Sequence, residues 1–145
     1  ISGKAYAQLP LTTDYTAAKM FLRTINTDMV PTQGTDIGNA VEMALSYFET
    51  GKEQNRVLFI LSDGESHEEG ALEASELASE NGILIHAIGL GTLDGGPIPI
   101  KRNGVIKGYK KDNEDKVVVT KMDPAMLQQL ALSTEGNFID GMNTK

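Results

Sequence analysis

Arg56-Val57-Leu58-Phe59-Ile60-Leu61-Ser62-Asp63-Gly64-Glu65 is an apolar run that ends abruptly in a hydroxyl, a carboxylate and a glycine. Five large apolar residues in a row, with no polar alternation, are the pattern of a strand covered on both faces. Such strands belong to a parallel sheet lying between helix layers. In open sheets of this kind ligands bind beyond the carboxyl ends of the strands, which is where Asp63 would stand. Ser62-Asp63-Gly64 reads equally well as a plain chain reversal, because Asp and Gly are common turn residues. The run alone leaves both readings open.

Downstream, residues 65–70 form an acidic loop, and 71–81 read as a helix stopped by Gly82. Residues 83–92 are a second buried strand ending in Gly89-Leu90-Gly91-Thr92. Two strands separated by one helix make a right-handed parallel crossover the default connection. Upstream, Ile37, Ala40, Val41, Ala44, Leu45 and Phe48 recur as one helical stripe, with Gly51 after its end. Thr35 is the expected N-cap of that helix, and Asp36 in its first turn would complement the helix dipole. Earlier still, residues 5–11 suggest an edge strand closed by Pro10. Thr13-Asp14 then caps an amphipathic helix carrying Ala17, Ala18, Phe21, Leu22 and Ile25.

Residues 97–120 break the alternation of strand and helix. Short β-like pieces at 98–101, 105–109 and 116–120, with turns at Asn103-Gly104 and Asp112-Asn113, describe a β-hairpin excursion on the rim of the sheet. Its Lys107, Lys110 and Lys111 are answered by Asp112, Glu114 and Asp115, the pattern of a solvated tip rather than a binding patch. Asp123-Pro124 then caps a helix with Leu127, Leu130 and Ala131 inward, and 137–139 supply a last short strand. The expected fold is a single α/β domain over residues 1–142: a doubly wound, mostly parallel sheet between helices, with a hairpin excursion near 97–120.

A length of 145 residues with 40% apolar composition suits one globular domain. The net charge of -7 argues against a nucleic-acid or anionic-membrane surface and favours a cationic partner or a metal. With no cysteine, thiolate metal sites, disulfides and thiol nucleophiles are excluded. No window approaches the roughly 18 apolar residues needed to span a bilayer, so this segment is expected to be soluble. The chain starts at Ile1 rather than Met, which suggests a piece of a longer protein.

The glycines form neither a dinucleotide fingerprint nor a phosphate loop. His86, inside a strand, reads as a packed or rim histidine rather than a ligand, and no nucleophile elbow is present. Asp63, Glu65, His67, Glu68 and Glu69 fall within seven residues, but successive loop residues diverge, so a solvated acidic loop is the better reading. Thr35 and Asp63 form a more telling pair: one lies at a helix N-terminus, the other at the carboxyl end of the neighbouring strand. A hydroxyl and a carboxylate are hard-oxygen donors suited to Mg²⁺, which nonetheless takes about six oxygens. Two protein ligands leave such a site incomplete.

Gly34-Thr35-Asp36-Ile37-Gly38, followed by a helix and then by Val57 through Glu65, resembles a von Willebrand factor type A domain with a metal-ion-dependent adhesion site. Gln8 through Tyr15, Val30 through Gly38, and Ala87-Ile88-Gly89-Leu90-Gly91-Thr92 followed by Pro97-Ile98-Pro99-Ile100 are similar to the bacterial Bat (aerotolerance) proteins of the BatA and BatB type. By this resemblance the metal ligands are Thr35 and Asp63, and the cation is Mg²⁺, or Mn²⁺ or Ca²⁺. The family's Asp-x-Ser-x-Ser motif has no counterpart in the sequence. The domain is therefore expected to lack its first strand and helix, and to hold metal weakly or not at all.

The resemblance implies a protein–protein interaction module, not an enzyme, in an envelope protein implicated in aerotolerance or stress. Its partner would offer an acidic side chain to the metal, and other Bat proteins are candidates. The parent would be anchored in a bacterial inner membrane through segments outside this chain. Two alternatives stand beside this reading. One is an Mg²⁺-dependent hydrolase using Asp63, which would need further carboxylates at neighbouring strand ends and a cation for phosphate. The other is a metal-free scaffold.

Overall fold

The computed structural model describes residues 5–26, 29, 36–48, 55–65, 68–102, 104–112 and 114–142. In chain order these form α1 (Tyr15–Leu22), α2 (Ile37–Tyr47), β1 (Arg56–Ser62), α3 (Glu68–Glu80), β2 (Ile83–Gly89), β3 (Gly96–Pro97), β4 (Pro99–Arg102), β5 (Val105–Tyr109), β6 (Val119–Thr120), α4 (Pro124–Leu132) and β7 (Phe138–Asp140). The main sheet runs β1-β2-β7 and is parallel throughout, with Arg56 opposite Ile83 and Ser62 opposite Gly89. The crossovers through α3 and α4 are thus the connections that strand–helix–strand spacing leads one to expect.

The core lies on one face of this sheet. Ile37 and Val41 of α2, Ala71, Ala74 and Ala78 of α3, and Leu127, Leu130 and Ala131 of α4 pack with Ile60, Ile83, Ile85 and Ala87. Small residues let α2 and α3 approach closely: a Cβ at Gly38 would stand 2.8 Å from the Gly70 carbonyl oxygen. Beneath α4, the Thr134 hydroxyl accepts the Ile85 N–H at 2.9 Å and donates to the Ala131 carbonyl at 3.0 Å. A buried polar group is thereby satisfied at both ends.

The other face departs from expectation. In place of burial on both sides, β1 leaves Phe59 59% and Leu61 57% exposed, and β2 is its only strand neighbour among the described residues. The apolar run forms the strand, but a second covering layer is absent among the described residues. Residues 5–11 likewise form no strand, and Ala5 instead donates its N–H to the Asn39 side chain at 2.8 Å. The helix expected after Asp14 is present and capped by that carboxylate, which accepts from Thr16 and Ala17. No residue of its apolar stripe is fully buried, and Tyr15, Met20 and Leu22 face solvent. An apolar stripe can be buried only against a partner surface.

Other boundaries move by one to three residues. The helix expected from 71 begins at Glu68, the strand expected to reach 92 ends at Gly89, and the final strand occupies 138–140. The excursion forms two small antiparallel sheets, β3 with β6 and β4 with β5. Its tip is closed by ion pairs from Lys111 to Asp115 at 2.9 Å and from Lys116 to Glu114 at 2.7 Å.

Candidate functional site

All three strands of the main sheet finish on one rim, since Ser62 lies opposite Gly89 and Gly89 opposite Asp140. Asp63 is the first residue beyond β1. Its carboxylate is half-buried, and Oδ1 accepts the Glu65 N–H at 3.2 Å. The turn is fixed from the other side as well: Ser62 Oγ accepts the Gly64 N–H at 3.1 Å. Gly64 is buried with φ +83°, and a Cβ there would collide with the Asp123 carbonyl. Only glycine suits that backbone and that space.

The segment clamping this turn comes from far along the chain. Asp123 donates its N–H to the Asp63 carbonyl at 2.8 Å, and Lys121 donates its N–H to Glu65 Oε1 at 3.1 Å. Met122 donates to the Thr92 carbonyl at 3.0 Å, joining the loop after β2 to the same strap. Asp123 also caps α4 by accepting the Ala125 N–H, with Pro124 in the first turn. Asp63, Leu90, Gly91, Thr120, Lys121 and Met122 line an open cleft of about 400 Å³ at this rim.

The start of α2 shares the rim. Gly38 in the first turn of α2 lies against Gly70 in the first turn of α3, and α3 begins just beyond β1. The cap of α2 is Asp36, whose Oδ1 accepts the Asn39 N–H at 2.9 Å, rather than Thr35 as the sequence suggested. Thr-Asp offers two adjacent residues able to cap, and the carboxylate one residue later holds the third N–H of the helix. Thr35 itself lies outside the described residues, as does His67. Of the expected pair, Asp63 is thus placed at the strand end, while for Thr35 only the adjoining cap is.

His86 is half-buried within β2; its ring stands 5.2 Å from that of Phe59 and its Nδ1 accepts the Asn137 N–H at 3.0 Å. The proton of the neutral ring is therefore on Nε2, and the residue serves to join β2 to the start of β7. Sequence reading missed the strap from Lys121 to Asp123 and the part played by Glu65. The one local signal was that these three residues immediately precede a strong helix start.

Residues 1–135 match the family model of the von Willebrand factor type A domain. The chain is similar to a solved structure of BatB, a conserved hypothetical protein from Bacteroides thetaiotaomicron, with 38% identity and a TM-score of 0.88, over 97% of this chain and 67% of that one. It is equally similar to an aerotolerance-related membrane protein from Bacteroides fragilis NCTC 9343 solved with multiple mutations to serines. There the identity is 38% and the TM-score 0.88, over 99% of this chain and 69% of that one. No curated protein matches significantly.

Proposed function

The chain belongs to the von Willebrand factor type A domain family, and from that premise we propose that it is a protein-interaction module which contributes Asp63 and Thr35 to a divalent-cation site facing a partner. Domains of this family generally mediate protein–protein interaction. The observation that carries the proposal is the position of Asp63: a half-buried residue just past the carboxyl end of β1, its backbone carbonyl held by Asp123 and its carboxylate accepting the Glu65 N–H. A metal ligand needs such preorganisation, because a loose carboxylate loses side-chain entropy on binding.

The described residues do not complete a cation site by themselves. Among them no group of three or more His, Asp or Glu is placed to hold a metal. Mg²⁺ demands about six oxygens, so this chain alone binds it weakly or not at all. The remaining donors come from an Asp-x-Ser-x-Ser segment preceding Ile1 and from an acidic side chain of the partner, possible partners including other Bat proteins. The same upstream segment supplies the strand and helix that cover the edge and the apolar face of β1 left open among the described residues. Supporting this are the exposed Phe59 and Leu61.

The parent is read as a Bat-type envelope protein anchored in the inner membrane. One similar structure is described as a membrane protein, and no helix among the described residues is long and apolar enough to cross a membrane. We read the domain as a binding module rather than an enzyme. Calorimetric titration of Mg²⁺ and Mn²⁺ into a chain extended upstream of Ile1, its Asp63→Ala variant and the 145-residue chain tests the metal proposal. Saturable binding confined to the extended wild-type chain is expected. Absence of binding there, in a folded protein, overturns the cation site and leaves a metal-free scaffold.

A further inference from the structure

The excursion and the helical layer have opposite electrical characters. Residues 96–121 hold seven Lys or Arg against three Asp or Glu, whereas the rest of the chain holds six against seventeen. Within the excursion, β4 and β5 pair only with each other among the described residues. At its base this ribbon is joined to the β3–β6 pair, where Ile98 donates its N–H to the Val118 carbonyl and Val118 donates to the Lys110 carbonyl, so it is the far end that projects. Ile100, Val105, Ile106 and Tyr109 are each about half exposed. The ion pairs of Lys111 and Lys116 are local to the tip; Arg102 and Lys107 take part in neither. Exposed apolar side chains beside an arginine and a tyrosine are residue types enriched at interface centres, and Lys107 suits the polar rim of such a patch.

The helical layer shows the converse. Surface helices ordinarily interleave both signs of charge at i,i+4 spacing. Here α2 and α3 together carry six Glu and no Lys or Arg. Glu76 follows Glu73 by three positions and precedes Glu80 by four, all three exposed, so like charges repel along one side of α3. Glu80 also sits in the last turn, where the helix dipole favours a cation. Between α2 and α3 runs an open groove of about 420 Å³, lined by Asp36, Asn39, Glu42, Glu73 and Leu77. Nothing basic on either helix answers these charges.

We propose that the β4–β5 hairpin is a docking surface for a second copy of this chain, whose acidic α2–α3 face receives it. Arg102 and Lys107 meet the glutamates of that face, and the half-exposed apolar side chains on the facing side of the ribbon leave water on contact with the groove. The two patches differ, so one contact joins copies head to tail, and a reciprocated contact gives a two-fold dimer. Asp63 is not part of this contact, which is independent of the cation reading.

Sedimentation of the chain over a concentration series, in chelator, tests the proposal. Self-association at low salt is expected to weaken tenfold or more at about 1 M salt, where the Debye length falls to about 3 Å. The double reversals Arg102→Glu/Lys107→Glu and Glu73→Lys/Glu76→Lys should each abolish it alone and restore it when mixed with one another. All four positions are exposed, so both variants should keep the wild-type circular dichroism and unfolding midpoint. A monomer at every concentration would overturn the proposal. So would association that ignores both reversals, which would instead indicate pairing through the edge of β1 that is open among the described residues.

Discussion

β1 and β2 are each seven residues long, lie side by side in full register and are both dominated by large apolar residues, yet the chain treats them differently. Every second residue of β2, from Ile83 to Gly89, is buried, and β7 and β1 flank it on both edges. β1 buries only Ile60 fully, with one edge and one face open among the described residues. The difference lies in the neighbours, not in the strands. An apolar run therefore does not by itself fix how far a strand is buried; the surrounding segments do, and among the described residues β1 has fewer of them than β2.

The sharpest way to break this comparison is on the closed side. Gly136 follows α4 and its Cα faces the Ile85 backbone, so that a Cβ would collide with the Ile85 carbonyl. Gly136→Ala should lower the unfolding free energy by roughly 3 kcal/mol, read from urea unfolding at constant slope. Next, Thr134→Val keeps the shape but removes the acceptor of the buried Ile85 N–H. A loss of about 2 kcal/mol is expected by the same measurement. A near-neutral result would mean that water reaches this N–H.

Capping residues give a matched pair of smaller effects. Asp123→Ala removes the cap of a helix packed on the sheet and should cost about 1 kcal/mol of global stability. Asp14→Ala removes the cap of α1, which buries no residue; helical circular dichroism should fall slightly with the cooperative midpoint unmoved. Smallest of all, Phe59→Thr should change stability by less than about 0.5 kcal/mol in the 145-residue chain. In the chain extended upstream the same substitution should cost about 3 kcal/mol, the range for losing a buried aromatic. Equal effects in both chains would show that the upstream segment does not cover this face.

The parts of the fold legible in the sequence were those set by local chemistry. The apolar run stopping at Ser62-Asp63-Gly64 marks the end of β1, the helix between two such runs imposes the parallel crossover, and Asp123-Pro124 announces α4. Asp36 against Thr35 shows the limit of such signals: both residues can cap, and only the geometry at the Asn39 N–H decides between them. The strap on Asp63 was illegible for another reason. Its hydrogen bonds join residues 63 and 65 to residues 123 and 121, and no local pattern encodes a contact across that separation. That one face of β1 stands open among the described residues was not legible, because sequence reports hydrophobicity, whereas exposure depends on which segments are there to pack.

The strap also ties the excursion to the rim with no slack. β6 ends at Thr120, the next residue is bonded to Glu65, and Asp123, three residues past the strand, holds the carbonyl of Asp63. A load applied to the return leg of the excursion reaches the Asp63 turn through the three residues that follow β6. Mechanically, the hairpin is a handle on that turn.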